Sequence, residues 1–225
     1  ERWRAAIKKE LHDMIRRGVW RTMKRRDLPQ GRRLVKNKWV FNVKRDGRFR
    51  ARLVACGYSQ IPGVDFQNSY APTISDVTWR ILIVLMILKK YKAKIIDVET
   101  AFLYGELEED IYMENPEGLG NSPDECVKLE KAMYGLVQAA RQYYKFFVRA
   151  LMRMGFKVSK ADPCLLVKKD EIGVVYIGVW VDDSLIIGDL EAINRVISDL
   201  REQGFTIKVT ETLRDYLSCE ITFGP

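Results

Sequence analysis

The sequence is poor in the residues that bind soft metals or attack as thiolates: one histidine and four cysteines among 225 residues. Cys56, Cys126, Cys164 and Cys219 lie far apart, with no Cys-x-x-Cys or Cys/His spacing. That excludes a zinc site as the organising feature and predicts reduced, packed thiols of an intracellular, cytoplasmic protein. His12 stands among basic residues in a helical stretch and reads as a surface residue. No apolar run approaches the roughly 18 residues of a membrane span. The longest, Ile81–Leu88, is bracketed by Arg80 and Lys89–Lys90, so no membrane partner is expected. The first residues, ERWRAAIKKE, carry charge throughout and do not read as a signal peptide. The absence of an initial Met suggests a piece of a longer polypeptide.

Acidic residues are also scarce in one region. Residues 1–60 hold 19 Lys and Arg against 5 Asp and Glu, whereas the remaining 165 hold 19 against 25. A basic front of this kind suits a polyanion, although many basic faces are only solvated. Trp20, Trp39, Phe41 and Phe49, interleaved with the cations, favour nucleic acid. With 47% hydrophobic residues the chain can pack one large domain or two intimate subdomains.

Along the chain, Trp3, Ile7, Leu11, Met14 and Ile15 predict a helix over 1–17 that stops at Gly18. A basic link, RTMKRRDLPQGRR, follows. Strand-like runs Leu34–Lys44 and Phe49–Ala55 meet through Asp46-Gly47, a hairpin signal. Residues 57–74 read as a loop. Ser75 or Asp76 caps a helix reaching about Tyr91, apolar nearly all round and therefore expected to be buried. A strand Ala93–Val98, the acidic segment GELEED, short strands at 111–113 and 127–129, and a helix from about Gln138 to Met154 come next. A strand at 164–168, a hairpin over Val174–Gly188, a helix Leu190–Gln203, a strand Phe205–Val209 and an apolar strand near 216–223 complete the order. This is an α+β arrangement, a sheet with helices packed on one face.

The chemistry concentrates in VVYIGVWVDDSLIIG, Val174–Gly188. β-Branched and aromatic residues flank Asp182 and Asp183, which puts the two carboxylates at or near a hairpin turn. Taken with the hairpin alone they read first as turn formers. A third carboxylate, Asp97, closes the apolar strand AKIIDV. Neighbouring strands would bring all three to one sheet edge, where mutual repulsion calls for cations. Carboxylates suit magnesium, completed by substrate phosphates, and two such ions serve in-line phosphoryl transfer. Asp97 is equally a plain strand-end residue.

Five blocks in order carry a resemblance. KWVFNVKRDGRFRARLVACGYSQ (Lys38–Gln60), GVDFQNSYAPT (Gly63–Thr73), DVETAFLYGELEEDIYMENPEG (Asp97–Gly118), LEKAMYGLVQAARQYY (Leu129–Tyr144) and WVDD (Trp180–Asp183) resemble the reverse transcriptase domain of copia-type LTR retrotransposons. The resemblance implies one domain over 1–225, a Pol polyprotein fragment with right-hand fingers and palm and an antiparallel palm sheet backed by helices. Fingers-like parts would cover about 1–92 and 111–140, and the palm about 93–110 and 141–225, with no thumb, RNase H or integrase part. It implies RNA-directed DNA polymerase activity with two magnesium ions, or manganese, on a primed RNA or DNA template with dNTPs, in a virus-like particle. Asp97 and Asp182 become metal ligands, Asp183 the third carboxylate, and the Val98 carbonyl completes one shell. Phe102 takes the place of an aromatic gate whose ring excludes a ribose 2′-hydroxyl; otherwise it is a core Phe. Arg50 and Arg52 suit triphosphate or template oxygens, or a solvated edge strand. Gly135 and Gln138 fall in the block that lies against the nascent base pair, although Gly135 also serves simply to break the chain before a helix.

The chain departs from the family pattern at four places. Trp180 stands for the usual Tyr, Val137 and Ala140 for the usual Lys and Pro, and Ser218 for the glycine of the usual Tyr-Leu-Gly. These motivate an alternative: a catalytically inactive relic that at most binds nucleic acid through basic fingers. A nucleotidyl cyclase with a similar palm is a third reading, disfavoured by the basic front and the ordered blocks.

Overall fold

The computed structural model describes residues 1–220 other than Arg45, Asn121, Thr212, Arg214, Leu217 and Ser218. In chain order its elements are α1 (Arg2–Arg16), β1 (Trp20–Lys24), β2 (Leu34–Val35), β3 (Asn37–Val43), β4 (Phe49–Ala55), α2 (Asp76–Lys89), β5 (Lys92–Val98), β6 (Glu106–Glu114), β7 (Glu125–Lys131) and α3 (Ala139–Arg153). Then follow β8 (Lys157–Val158), β9 (Leu165–Lys169), β10 (Val174–Trp180), β11 (Asp183–Gly188), α4 (Leu190–Glu202), β12 (Ile207–Thr210), β13 (Asp215–Tyr216) and β14 (Cys219–Glu220). The chain divides into two compact units, Glu1–Ala71 with Phe102–Phe146, and Pro72–Ala101 with Phe147–Pro225. The mixture of helices and sheets agrees with the order of periodic runs.

In the first unit α1 has no side-chain cap at Glu1 and no acidic residue in its first turn, which the helix dipole disfavours. Its stability comes instead from an apolar face: Leu11 and Met14 are buried and the helix packs on β4. A four-stranded sheet in the order β1-β7-β6-β2 carries the core, where Leu53, Ile111, Met113, Val127, Leu129 and Met133 are shielded from solvent. The basic link expected after α1 is partly a strand, β1, because Trp20–Lys24 pairs with β7 from Leu129 to Glu125. The acidic segment GELEED likewise belongs to β6, with Glu106, Glu108 and Asp110 exposed on one side and Leu107 and Glu109 turned inward. In both cases long-range pairing overrides weak local propensity. β3 and β4 form the expected hairpin, but the strands end at Val43 and Phe49 and the connection spans 44–48. Within it Gly47 takes φ +79.

The second unit is built on a six-stranded sheet, β12-β5-β11-β10-β9-β8, in which neighbouring strands run antiparallel. Helices cover both faces, not one as the pattern implied. Lys94 of β5 bonds Asn194 of α4 at 2.9 Å, which places α4 on the face shared by Lys94, Ile186 and Ile177. Alternation puts Gly178 on the opposite face, where a Cβ would meet Leu82 of α2 at 3.4 Å. Gly178 is therefore the gap that Ile74, just before α2, fills, with Leu82 of α2 beside it. Ser75 caps α2 by accepting from the Thr78 N–H at 3.2 Å, and Asp162 accepts from the Ser75 N–H at 3.0 Å.

Contrary to the expectation of a buried helix, α2 is half in solvent. Leu82 and Met86 are buried, whereas Val77, Ile81, Val84, Ile87 and Leu88 are exposed. An all-round apolar helix is covered only if neighbours lie on both sides, and the sheet supplies one side.

Cys56, Cys126 and Cys164 are buried free thiols, as expected, and burial pushes the Cys164 thiol up to about 12. No helix among the described residues is long and apolar enough to cross a membrane. Ser218 lies outside the described residues, as does most of the apolar run expected near 216–223.

Candidate active site

Four side chains stand in a row across the second unit's sheet. Lys208 of β12 pairs with Asp97 of β5, Asp97 with Asp183 of β11, and Asp183 with Trp180 of β10. Directly paired residues project to the same face, so two carboxylates, a cation and an indole share one edge. Asp182 occupies the two-residue connection between β10 and β11. Its carbonyl accepts the Val98 N–H at 3.1 Å, which ties the turn to the end of β5. Val98 is itself buried.

This turn does not have the chemistry of a turn chosen for its own sake. Val181, before Asp182, adopts φ +47, a left-handed conformation costly for a β-branched residue and normally given to Asn or Gly. Strain of order 1–3 kcal/mol persists only where the surroundings enforce it. The turn-former reading explains Asp182 poorly when the demanding position holds valine.

Burial raises the Asp183 carboxyl above its ordinary value, Asp182 and Asp97 raise it further, and Lys208 opposes them. Among the described residues no three His, Cys, Asp or Glu side chains converge as a ready-made metal cage. The donor set still fits a hard divalent cation: carboxylate oxygens whose mutual repulsion already disfavours a charged Asp183 are the ligands such an ion neutralises.

The remaining candidates belong to the first unit. Arg50 and Arg52 alternate on β4, both partly exposed. The Arg52 guanidinium lies 5.3 Å from the centre of the Tyr134 ring, and its buried Nε has no acceptor among the described residues. The Glu10 carboxyl, on α1, is raised by burial and lowered by a hydrogen bond from Leu53 and by both arginines. Phe102 is partly buried and makes edge contacts with Tyr134 at 5.0 Å and Tyr143 at 6.5 Å, within the apolar cluster of this unit. Gly135, at φ +88, presses against the Ala55 carbonyl and Val54, so a close approach is what it provides, here to its own chain. Gln138 is fully buried. Its Oε1 accepts from Gln60 at 3.0 Å, and its Nε2 donates to the Asp65 carbonyl at 2.8 Å.

The family described as reverse transcriptase (RNA-dependent DNA polymerase) matches residues 19–223, a span containing the aspartate row and both halves of the sheet. The chain belongs to the reverse transcriptase family. It is 36% identical over 192 residues to the retrovirus-related Pol polyprotein from transposon TNT 1-94 of Nicotiana tabacum, covering 81% of this chain and 14% of that protein. To the corresponding polyprotein from transposon RE1 of Arabidopsis thaliana it is 35% identical over 231 residues, covering 98% of this chain and 15% of the relative. The chain thus spans a minor part of the curated relatives it matches. A solved foamy viral protease–reverse transcriptase in complex with double-stranded DNA gives a TM-score of 0.46 at 15% identity, over 92% of this chain and 31% of that one. The copia-type resemblance is borne out, and with it the nucleotidyltransferase class.

Reverse transcriptase motifs in the sequence pointed to the aspartates and to Gln138 but not to three structural partners. Lys208 joins the row only through the register of β12 on β5. Val181 reveals itself only by its backbone angle. Gln60, in the block GYSQ, bridges the Val137 N–H at 2.8 Å and Gln138, a pairing 77 and 78 residues apart. Of the departures, Trp180 is beside Asp183 in the row, Val137 contributes its N–H to Gln60, and Ala140 lies in the first turn of α3, where alanine is a sound helix former.

Proposed function

We propose that this chain is the fingers and palm of a copia-type reverse transcriptase that extends a primer on an RNA or DNA template. The observation carrying this reading is Asp97 opposite Asp183, with Asp182 in the turn between β10 and β11. In the reading, Pro72–Ala101 with Phe147–Pro225 is the palm and Glu1–Ala71 with Phe102–Phe146 the fingers, so α2 counts with the palm. The reaction joins the primer 3′-hydroxyl to the α-phosphate of a dNTP and releases pyrophosphate.

Asp97 and Asp182, with the Val98 carbonyl, would hold magnesium, and Asp183 would add the third carboxylate. Magnesium or manganese, when bound, neutralises phosphate charge and stabilises the attacking and leaving oxygens. The chain's own work is positioning. The Val98 N–H holds the Asp182 carbonyl and so orients the turn, and Trp180 packs beside Asp183 where the family has a Tyr. Arg50 and Arg52, both partly exposed, receive triphosphate or template oxygens. Phe102 excludes the 2′-hydroxyl. Gln138, buried and bonded at both ends, holds the base-pair platform in shape with Gly135.

Primer extension on an RNA template with magnesium, wild type beside Asp182→Asn, tests the reading. Extension abolished by the substitution is expected. Wild type silent here and in a longer polyprotein piece would support the inactive relic, which Trp180, Val137 and Ala140 motivate. Phe102→Ala should admit ribonucleotides, and unchanged sugar selectivity would remove the gate assignment.

A further inference from the structure

The outer side of α2 is an apolar stripe with no role in the aspartate site. Val77, Ile81, Val84 and Leu88 are 67%, 58%, 55% and 73% exposed. They repeat at intervals of four, three and four residues, the spacing of a helix-packing seam. At 100° per residue all four fall within a narrow arc opposite the buried Leu82 and Met86. A contiguous stripe of this kind on a soluble domain marks a contact surface.

We propose that α2 packs antiparallel against α2 of a second copy of this chain, about a two-fold axis passing between residues 82 and 83. The stripe is symmetric about that point. Antiparallel pairing sets Val77 over the other copy's Leu88 and Ile81 over its Val84, so each side chain of the stripe meets another, while Ile87, also exposed, lies to one side of it. Charge selects the same direction. Asp76 begins the helix and Lys89 and Lys90 end it. Antiparallel copies bring an acidic end beside a basic one and oppose the helix dipoles, whereas parallel copies would set like charge on like. A two-fold contact is also the self-complementary form that one surface can make with itself.

The contact is small. Fourteen residues at about 1.5 Å rise make a helix about 21 Å long, which buries less than the roughly 800 Å² per partner of a standard interface. Association is therefore weak and reversible, in the micromolar range or above.

Sedimentation equilibrium of the chain from about 1 to about 200 µM tests this. The weight-average mass should rise from that of the 26.2 kDa monomer toward twice that value. Ile81→Glu, at a solvent-exposed position, should keep the circular dichroism of the wild type and remain monomeric throughout. Direction is read by cross-linking in a Cys219→Ser background. Chains carrying Val77→Cys mixed with chains carrying Leu88→Cys should form a disulfide dimer, while Val77→Cys alone should not, because its two copies would lie about 16 Å apart. A monomer at the highest concentration, a dimer indifferent to Ile81→Glu, or self-linking by Val77→Cys would each overturn the proposal.

Discussion

Asp183 lies directly opposite Asp97 across β11 and β5, two carboxylates paired where a sheet ordinarily avoids like charges. Such a pair costs the fold about 0.2–1 kcal/mol when no cation is bound. Asp183→Asn should therefore raise the melting temperature in EDTA by up to about 4 °C for a chain of this size while removing primer extension. Magnesium should stabilise the wild type and leave the variant nearly unchanged. Thermal melts with and without the ion decide it, and a variant less stable in EDTA would contradict the repulsion.

Asp162 illustrates the opposite electrostatic case. Burial alone would raise its carboxyl, but hydrogen bonds from Thr78, the Ser75 and Cys164 N–H groups and the Ser75 side chain hold it below the usual value. A lowered carboxyl stabilises the fold above its unfolded value near 3.9 and loses that contribution as pH falls through the folded value. Asp162→Ala should cost about 2 kcal/mol or more at neutral pH, because it unties Ser75, the cap of α2, from the segment before β9. Its loss should begin to shrink below about pH 4, where the unfolded carboxyl takes up its proton, and vanish only below the lower folded value. Urea midpoints at pH 7 and pH 3 measure both effects.

Gly135 and Gly18 separate two uses of glycine. Both take positive φ, +88 and +62, but a Cβ at Gly18 meets nothing within 4 Å while one at Gly135 collides with the Ala55 carbonyl and Val54. Gly18→Ala should cost about 1 kcal/mol from the backbone alone. Gly135→Ala should cost about 3 kcal/mol or more, because backbone must move. Equal losses in urea unfolding would mean that the first unit accommodates the clash.

Ser184 offers a stabilising change. Its hydroxyl is fully buried on the sheet face opposite Asp183, where Ser184 pairs with Val179 and Ile96, and has no partner among the described residues. Ser184→Ala removes a desolvated polar group and should leave stability unchanged or raise it by about 1 kcal/mol, read as a urea midpoint shift at constant slope.

What could be read from the sequence divides along physical lines. The hairpin Val174–Gly188, the helices α3 and α4 and the strand ending at Asp97 show strong local periodicity, and their residues also carry the family motifs. The pairing of Asp97 with Asp183 was a reasonable guess from two strand ends, but Lys208 beside them was not, since no local signal encodes the register of β12. β1 and the acidic half of β6 were missed because neither alternates cleanly; they become strands only through partners about 100 and 20 residues away. The exposed stripe of α2 reads as core in the sequence because apolar periodicity reports affinity for a partner without saying which one.

The basic front yields a quantitative test on α1, all of which precedes the family match. Arg4, Lys8, Lys9, His12 and Arg16 are exposed on its outer side, four of them spaced i, i+4, with Trp3, Leu11 and Met14 turned inward. Arg4, Lys8 and Arg16 put cations along one face at multiples of about 6 Å, a ladder that suits phosphates, but a solvated face would look the same. Salt dependence distinguishes them. Each duplex phosphate contact contributes a slope of about 0.9 in log K against log salt. Arg4→Glu, Lys8→Glu and Lys9→Glu together should therefore weaken binding to primer–template and lower the slope by about 2–3 if the ladder lies on the backbone. The exposed positions leave the α1 core untouched, so circular dichroism and melting temperature should hold. An unchanged slope, measured by fluorescence anisotropy from 50 to 200 mM salt, would assign α1 to solvent and leave nucleic acid to β3 and β4.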